Sequence, residues 1–177
     1  MSTEDLAHWE GFAVAEVGAA AVLTGLVFVA VSVNIDRVLG VRGLPARAGE
    51  TVVLYLLVLT ACSLLLVPGM SAAVLGGWLL ATGVVGWAVL TAIVVSGVRA
   101  PSRQPTSWRA TRLLTVQLAA LPVVAGGGLL VAGLGGALYW LAAGSLFALL
   151  AGTGNAWVLL VEIVRDERYL PVETEAR

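Results

Sequence analysis

Five long apolar runs follow one another along the chain, and short polar segments separate them. Each run is close to the ~20 residues that a helix needs to cross the ~30 Å hydrocarbon core of a bilayer. The pattern therefore predicts five transmembrane helices, at about residues 11–35, 51–67, 72–97, 113–133 and 137–164. We expect an all-α fold, a polytopic membrane helix bundle in which residues 1–177 form a single membrane domain.

Proline and glycine positions refine two of these runs. The second run is short, but Pro45 suits the first turn of a helix, so we expect this helix to begin inside the preceding polar segment. The fourth run contains Pro122 and the glycine-rich stretch Ala125–Leu130, which predicts a kink or a thin, closely packed segment.

The composition supports a membrane location. Hydrophobic residues make up 59% of the 177 residues and charged residues only 12%, whereas soluble domains are about 45–50% apolar and about 25% charged. A soluble fold of this size could not bury so much apolar surface, so the lipid bilayer is an expected partner. The net charge of −1 says little about other partners, and no nucleic-acid partner is expected.

All ten basic residues are arginines, and their distribution predicts the topology. From the N-terminal tail through the successive loops to the C-terminal tail, the arginines number 0, 3, 0, 4, 0 and 3. The positive-inside rule requires such an alternation for an odd number of spans, and here it places the N-terminus outside and the C-terminus in the cytoplasm. The absence of lysine and the abundance of Ala, Gly, Val and Leu are typical of a GC-rich bacterial genome, which predicts the bacterial cytoplasmic membrane.

Small residues recur on three of the predicted helices at spacings that allow close packing. These stripes are Gly144, Ala148, Gly152 and Ala156 on the fifth helix, Gly18, Gly25 and Ser32 on the first, and Ala73, Gly77 and Ala81 on the third. Such stripes usually join helices of one chain, and they leave a homo-oligomer or a different membrane protein as the alternative partner.

Glu16 interrupts the first apolar run less than two turns from its outer end. An acidic side chain costs about 2.5–3.5 kcal/mol at the bilayer centre, and this cost falls towards the interface. Glu16 is therefore either a carboxylate at the outer headgroup level, protonated or hydrated or bonded to a neighbouring helix, or a protonatable gate that faces the bundle interior. A helical spacing joins Glu16 to Asn34 on one face, through Ala20, Leu23, Val27 and Ala30.

A second polar group is expected near the cytoplasmic side. It consists of Asn34, Gln117 and Asn155, with Glu162 seven residues beyond Asn155. Amide side chains within lipid bond across helices. The group is therefore either structural glue between helices or an inner vestibule for a small polar solute or ion.

The third loop is the most basic segment of the chain. It carries Arg99, Arg103, Arg109 and Arg112 around two prolines and Trp108. These arginines set the topology, and they could also hold anionic lipid headgroups or dock a protein partner.

Few residues are suited to catalysis or metal binding. The single cysteine, Cys62, and the single histidine, His8, cannot build a disulfide, a zinc site or a haem site within one chain, so no cofactor and no metal are expected. The sequence contains no nucleophile elbow, phosphate-binding loop or zinc-protease motif, and we expect a protein that is not an enzyme.

Two stretches carry a resemblance to a known family. "AAVLTGLVFVAVSVNIDRVL" and "LPARAGETVVLYLLVLTACSLLLVPG", which together cover about Ala20–Gly69, resemble small multispan integral membrane proteins of actinomycete-type bacteria. Members of that family are mostly uncharacterised. The resemblance implies a bacterial integral membrane protein and no specific activity.

Two function classes follow from the sequence. The first is a non-enzymatic structural or regulatory membrane protein that binds lipids or membrane partners through its helix stripes and basic loops. The second is a small transporter or oligomeric ion channel with Glu16, Asn34, Gln117 and Asn155 along its route. The sequence favours the first, because transporters usually show repeats, mid-membrane charges or broken helices, and here only Pro122 indicates a break.

Overall fold

The structure is a computed structural model, and it describes residues 8–41, 43–99 and 106–167. This part of the chain is all-helical, with helices α1 (Glu10–Val33), α2 (Ile35–Gly40), α3 (Leu44–Leu65), α4 (Ala72–Arg99), α5 (Thr106–Val131) and α6 (Ala137–Glu167). Five of them, all except the short α2, are long and apolar enough to cross a membrane. The prediction of an all-α bundle with five spans is confirmed.

The start of α3 follows the expectation for Pro45. Gly43 has a φ of +91°, a left-handed conformation that suits a residue without a side chain, and Pro45 lies in the first turn that follows. The helix begins at Leu44, inside the polar segment, as expected. Pro122 lies inside α5 and does not end that helix.

The short helix α2 is not foreseen by the sequence pattern. Asn34 leaves the helical conformation, with φ −116° and ψ 27°, and separates α1 from α2. Val38 of α2 is buried with Leu44 and Ala48 of α3 and Leu159 of α6. Helix α2 therefore folds across one end of the bundle.

Helices α3, α4, α5 and α6 form a closed ring in which each helix packs on the next, and α1 packs on the outside of α3. Half of the most apolar window of α3 is buried inside the protein, against 17% of that of α1. Most of α1 is therefore available to lipid, whereas α3 is the helix around which the others assemble.

Close helix approaches depend on glycine. A Cβ at Gly127 of α5 would meet the backbone of Leu80 on α4, and one at Gly83 of α4 would meet Val124 of α5 at 2.9 Å. Without a hydrophobic driving force in lipid, such van der Waals contact between backbones is a main source of helix association. The closely packed segment predicted for the fourth run is confirmed.

The α6 stripe of small residues packs within the chain. A Cβ at Gly144 would meet Val123 of α5 at 2.9 Å, and one at Gly152 would meet the ring of Tyr55 on α3. Ala148, between these two glycines, is fully buried.

The other two stripes face outward and do not pack within the chain, so packing against another copy or another membrane protein stays a prediction for them. Nothing lies within 4 Å of a Cβ built at Gly18, Gly25 or Gly77. Helix α4 uses Gly76 and Gly83 instead. Several faces of these helices offer small residues, and the shape of the partner helix decides which face is buried.

Helices α1 and α6 run parallel from a common end. The Trp9 ring packs edge-on against the Tyr139 ring, with centroids 5.0 Å apart and planes at 84°. Further along, contacts between the two helices are few, and a groove opens between them.

Candidate functional site

A buried carboxylate joins three helices. Glu50, in the second turn of α3, is 1% exposed. Its Oε2 atom accepts a hydrogen bond from Nη2 of Arg112 on α5, and its Oε1 atom accepts one from Nδ2 of Asn155 on α6 at 2.8 Å. The Glu50 side chain thus bonds to two residues that lie 62 and 105 positions away in sequence.

Arg47 brings a second cation to this site. It lies one turn before Glu50 on α3, is 8% exposed, and interacts electrostatically with Arg112, Glu50 and Glu162. Two arginines and two glutamates therefore balance one another. We call Arg47, Glu50, Arg112 and Asn155 the ionic cluster, and the end of the bundle that contains it the arginine end.

Glu50 and Arg47 were not predicted as site residues, since both precede the apolar run that begins at about residue 51. Since α3 begins at Leu44, they lie in its first two turns, and their spacing of three residues puts them on one face. The local signal was the order of Pro45, Arg47 and Glu50 directly before an apolar run. Nothing local identifies their partners on α5 and α6.

The basic third loop is described only in part. Arg112, predicted as a lipid or partner contact, instead has an intramolecular partner in Glu50. Arg103 lies outside the described residues, as do the side chains of Arg99 and Arg109. Lipid or partner contact through those three arginines stays a prediction.

The expected polar group of Asn34, Gln117 and Asn155 does not come together. Only Asn155 joins the ionic cluster. Gln117 contacts α4, where its Oε1 atom accepts a bond of 2.5 Å from Trp87 and its Nε2 atom donates one of 3.4 Å to Thr91. Asn34 donates to the carbonyl of Ala30 in its own helix, at 3.0 Å.

Glu16 faces the interior of the bundle. It is 7% exposed and lies between α1, α3 and α6, where its side chain hydrogen-bonds Ser145 and interacts with Cys62. Its Oε2 atom has no hydrogen-bond partner among the described residues. The side chain is turned towards α3 and α6, and both alternatives for its role stay predictions.

The face that joins Glu16 to Asn34 is indeed the one turned to the bundle. Glu16, Ala20 and Val27 are buried. Ala30 and Asn34 line the groove between α1 and α6.

An apolar layer separates Glu16 from the ionic cluster. Ser145 and Asn155, which contact the two sites, are ten residues apart on α6, or about 15 Å at 1.5 Å per residue. Between them, Leu54 and Val58 of α3 and Ala148 of α6 are almost fully buried. The hydroxyl groups of Tyr55 and Thr153 also lie in this interval, where they bond to each other. The Glu16 site and the ionic cluster are therefore separate from each other.

A groove lies between α1 and α6. Its volume is about 300 Å³, and Tyr55 of α3 forms its floor. The walls are apolar, and Leu26 and Trp157 at the rim are 60% and 67% exposed. The hydroxyl groups of Tyr55 and Thr153 lie 3.4 Å apart and bond to each other.

No three His, Cys, Asp or Glu side chains within the described ranges are grouped so that they could hold a metal ion. No family model, no curated protein and no solved structure matches the chain. The family resemblance drawn from residues 20–69 therefore stays a prediction, and function has to be inferred from the arrangement of the side chains.

Proposed function

We propose that the chain is a non-enzymatic integral membrane protein of a structural or regulatory type, which binds lipids or other membrane proteins through its lateral surface. It resides in the bacterial cytoplasmic membrane as a multi-pass protein with its N-terminus outside and its C-terminus in the cytoplasm. The five candidate spans, which imply contact with a bilayer, support the membrane part of this proposal.

One observation carries the proposal: about 15 Å of closely packed, mainly apolar side chains separates the Glu16 site from the ionic cluster. Both oxygens of Glu50 are engaged by side chains of the same chain. A solute route needs polar groups that follow one another through the membrane, usually at broken helices or mid-membrane charges. Mainly apolar, close-packed residues occupy the corresponding positions here, and the hydroxyl groups among them, at Tyr55 and Thr153, are hydrogen-bonded within the chain. This arrangement favours a bundle that keeps its shape.

The lateral surface supports a binding role. Large apolar side chains of α1 and α6 are exposed along the groove, Leu26 and Trp157 among them. In a membrane such a surface contacts lipid chains or another helix. Binding at this face needs no opening of the bundle.

The alternation of arginines supports the orientation. A cytoplasm-specific reporter fused after Arg177 should be active, and one fused before Met1 should be inactive. The opposite result would overturn the orientation and leave the helix bundle itself unaffected.

A flux measurement tests the proposed function. Liposomes that contain the purified protein should show no more proton or ion flux than protein-free liposomes. The Glu16→Gln variant should show the same flux as wild type. So should Glu10→Gln, a matched control at an exposed position of the same helix. Labelling of buried Cys62 checks that each protein is folded.

A second candidate function is a small transporter or an oligomeric channel with a protonatable Glu16. The buried position of this carboxylate and the unbonded Oε2 atom favour it. Buried ionisable residues in membrane proteins are rare and often mark proton or ion pathways. Flux that Glu16→Gln abolishes and Glu10→Gln preserves would establish this candidate and overturn the first.

A further inference from the structure

We propose that Glu16, Ser145 and the carbonyl group of Ala142 form a binding site for one proton, in which Glu16 is a neutral carboxylic acid that donates a hydrogen bond to Ser145. The inference goes beyond the proposed structural or regulatory role, because it assigns a ligand to the interior of the bundle. It needs no route across the membrane.

The Glu16 side chain is enclosed by protein on the inner side of α1. It is 7% exposed, and its neighbours on the same face, Ala13 and Ala20, are fully buried. Ser145 of α6 is 1% exposed. A carboxylate that is buried in this way loses its water, and it is stable as an ion only where hydrogen-bond donors or an opposite charge replace that water.

The surroundings of Glu16 offer too little for a charge. Among the described residues, the hydroxyl group of Ser145 bonds to it, whereas its buried Oε2 atom has no hydrogen-bond partner. Cys62 of α3 interacts with Glu16, but a thiol carries no positive charge in any protonation state. Glu10 on α1 is acidic and exposed, and the ionic cluster lies about 15 Å away along α6. A proton is the ligand that removes the charge without a further partner.

The hydrogen of the Ser145 hydroxyl group fixes the direction of its bond to Glu16. A serine hydroxyl group has one hydrogen and two lone pairs. Ser145 donates that hydrogen to the carbonyl oxygen of Ala142 at 3.0 Å, so it meets Glu16 as an acceptor. The hydrogen between Glu16 and Ser145 then comes from Glu16. With the proton bound, Glu16 donates to Ser145, Ser145 donates to Ala142, and the unbonded Oε2 atom belongs to a neutral group.

The bound proton contributes to holding α1 on the bundle. Helix α1 packs on α3 and has few contacts with α6. Two of its links to α6 are the bond from Glu16 to Ser145 and the ring contact between Trp9 and Tyr139. Loss of the proton would leave a negative charge in apolar surroundings, and a shift of α1 that admits water to Glu16 would lower its cost. Binding of the proton is therefore coupled to docking of α1.

Infrared spectroscopy in a detergent without ester groups tests the proposal, because a protonated carboxylic acid has its own carbonyl stretching band. A glutamate in water is only about 0.2% protonated at pH 7. Wild type should nevertheless show, at neutral pH, the band of one protonated carboxyl group per chain. Glu16→Gln should lose this band, and Glu10→Gln, the exposed control, should keep it.

The Ser145→Ala variant tests the direction of the bond. If Glu16 is the donor, loss of its acceptor should shift the band to a higher frequency and leave its intensity unchanged. Absence of the band from wild type, whether or not Ser145→Ala restores it, would mean that Glu16 is ionised and would overturn the proposal. So would a band that Glu16→Gln preserves. Loss of the band on addition of sodium chloride at constant pH would identify a metal cation as the ligand instead.

Maleimide labelling of Cys62 tests the coupling to α1, because this thiol is fully buried and interacts with Glu16. At a pH high enough to remove the infrared band, labelling should be at least tenfold faster in wild type than in Glu16→Gln, whose amide still donates to Ser145. Protection of Cys62 at neutral pH confirms that each variant is folded. Equal rates in the two proteins at every pH would reject the coupling.

These results are separable from the flux measurement. Flux through Glu16 in a protein that shows the band would reject the proposed function but keep the proton site. Absence of both the band and the flux would reject only the proton site.

Discussion

Replacing Glu50 with glutamine should destabilise the bundle more than replacing any other described Asp or Glu with its amide. Glutamine keeps the shape of the side chain and can still accept the bond from Asn155 through its carbonyl oxygen. It removes the negative charge that faces Arg112 and Arg47. Arg47 and Arg112 would then lie together with Glu162 as the remaining carboxylate that interacts with Arg47.

The structure sets the magnitude. Removing one partner of a buried ion pair costs about 3–5 kcal/mol. Glu50 is almost fully buried, but the Arg112 side chain is 20% exposed and keeps part of its solvation. We therefore expect Glu50→Gln to lower the free energy of unfolding by about 2–4 kcal/mol. Arg112→Gln should cost less, because Glu50 then keeps Arg47 and Asn155.

A double-mutant cycle isolates the pair. Unfolding in mixed micelles of a mild detergent and dodecyl sulfate can be followed by maleimide labelling of Cys62, which is fully buried. The double variant Glu50→Gln, Arg112→Gln should be more stable than the sum of the single effects predicts, by at least about 1.5 kcal/mol. Glu10→Gln, at an exposed site, should change stability by less than about 0.5 kcal/mol.

Two outcomes would refute this reasoning. One is a loss for Glu50→Gln no larger than that for Glu10→Gln. The other is additivity of the two substitutions within about 0.5 kcal/mol, which is the behaviour of distant, independent sites. Either result would mean that Glu50 and Arg112 do not form a buried pair.

Three further predictions use adjacent positions as controls. Gly152→Ala should lower the thermal midpoint of unfolding, because the added methyl group overpacks against the Tyr55 ring at a cost of about 1–3 kcal/mol. Gly154→Ala should not lower it, because nothing lies within 4 Å of a Cβ at Gly154. Gly127→Ala should push α5 away from α4 and reduce the folded yield, and Gly128→Ala should leave it unchanged; equal yields would mean that this contact is absent. Cys62 should resist maleimide in the native state and react once dodecyl sulfate unfolds the protein, and rapid native labelling would contradict its burial.

The number of spans could be read from the sequence because each span is recognised locally. About twenty apolar residues suffice for a helix to cross the hydrocarbon, whatever the other helices do. The start of α3 could be predicted for the same reason, because Pro45 favours the first turn of the helix in which it lies. The predicted orientation rests on the arginines alone and awaits the reporter experiment.

The ionic cluster could not be read in this way. Glu50 precedes the second apolar run, and its partners lie 62 and 105 positions further along the chain. The inward position of Glu16 was one of two alternatives, because a helical face does not reveal which neighbour covers it. The sequence grouped Gln117 with Asn155, whereas α5 turns Gln117 towards Trp87.

What the sequence alone determined, then, is the helical class, the five spans and the residues able to pack closely. Only the tertiary structure decided which stripes are buried. The α6 stripe packs inside the chain, whereas Gly18 and Gly25 of α1 face outward. The physical reason is that lipid is as apolar as the protein interior, so hydropathy does not distinguish the inner face of a membrane helix from the outer one. Shape complementarity and hydrogen bonding between distant helices make that choice.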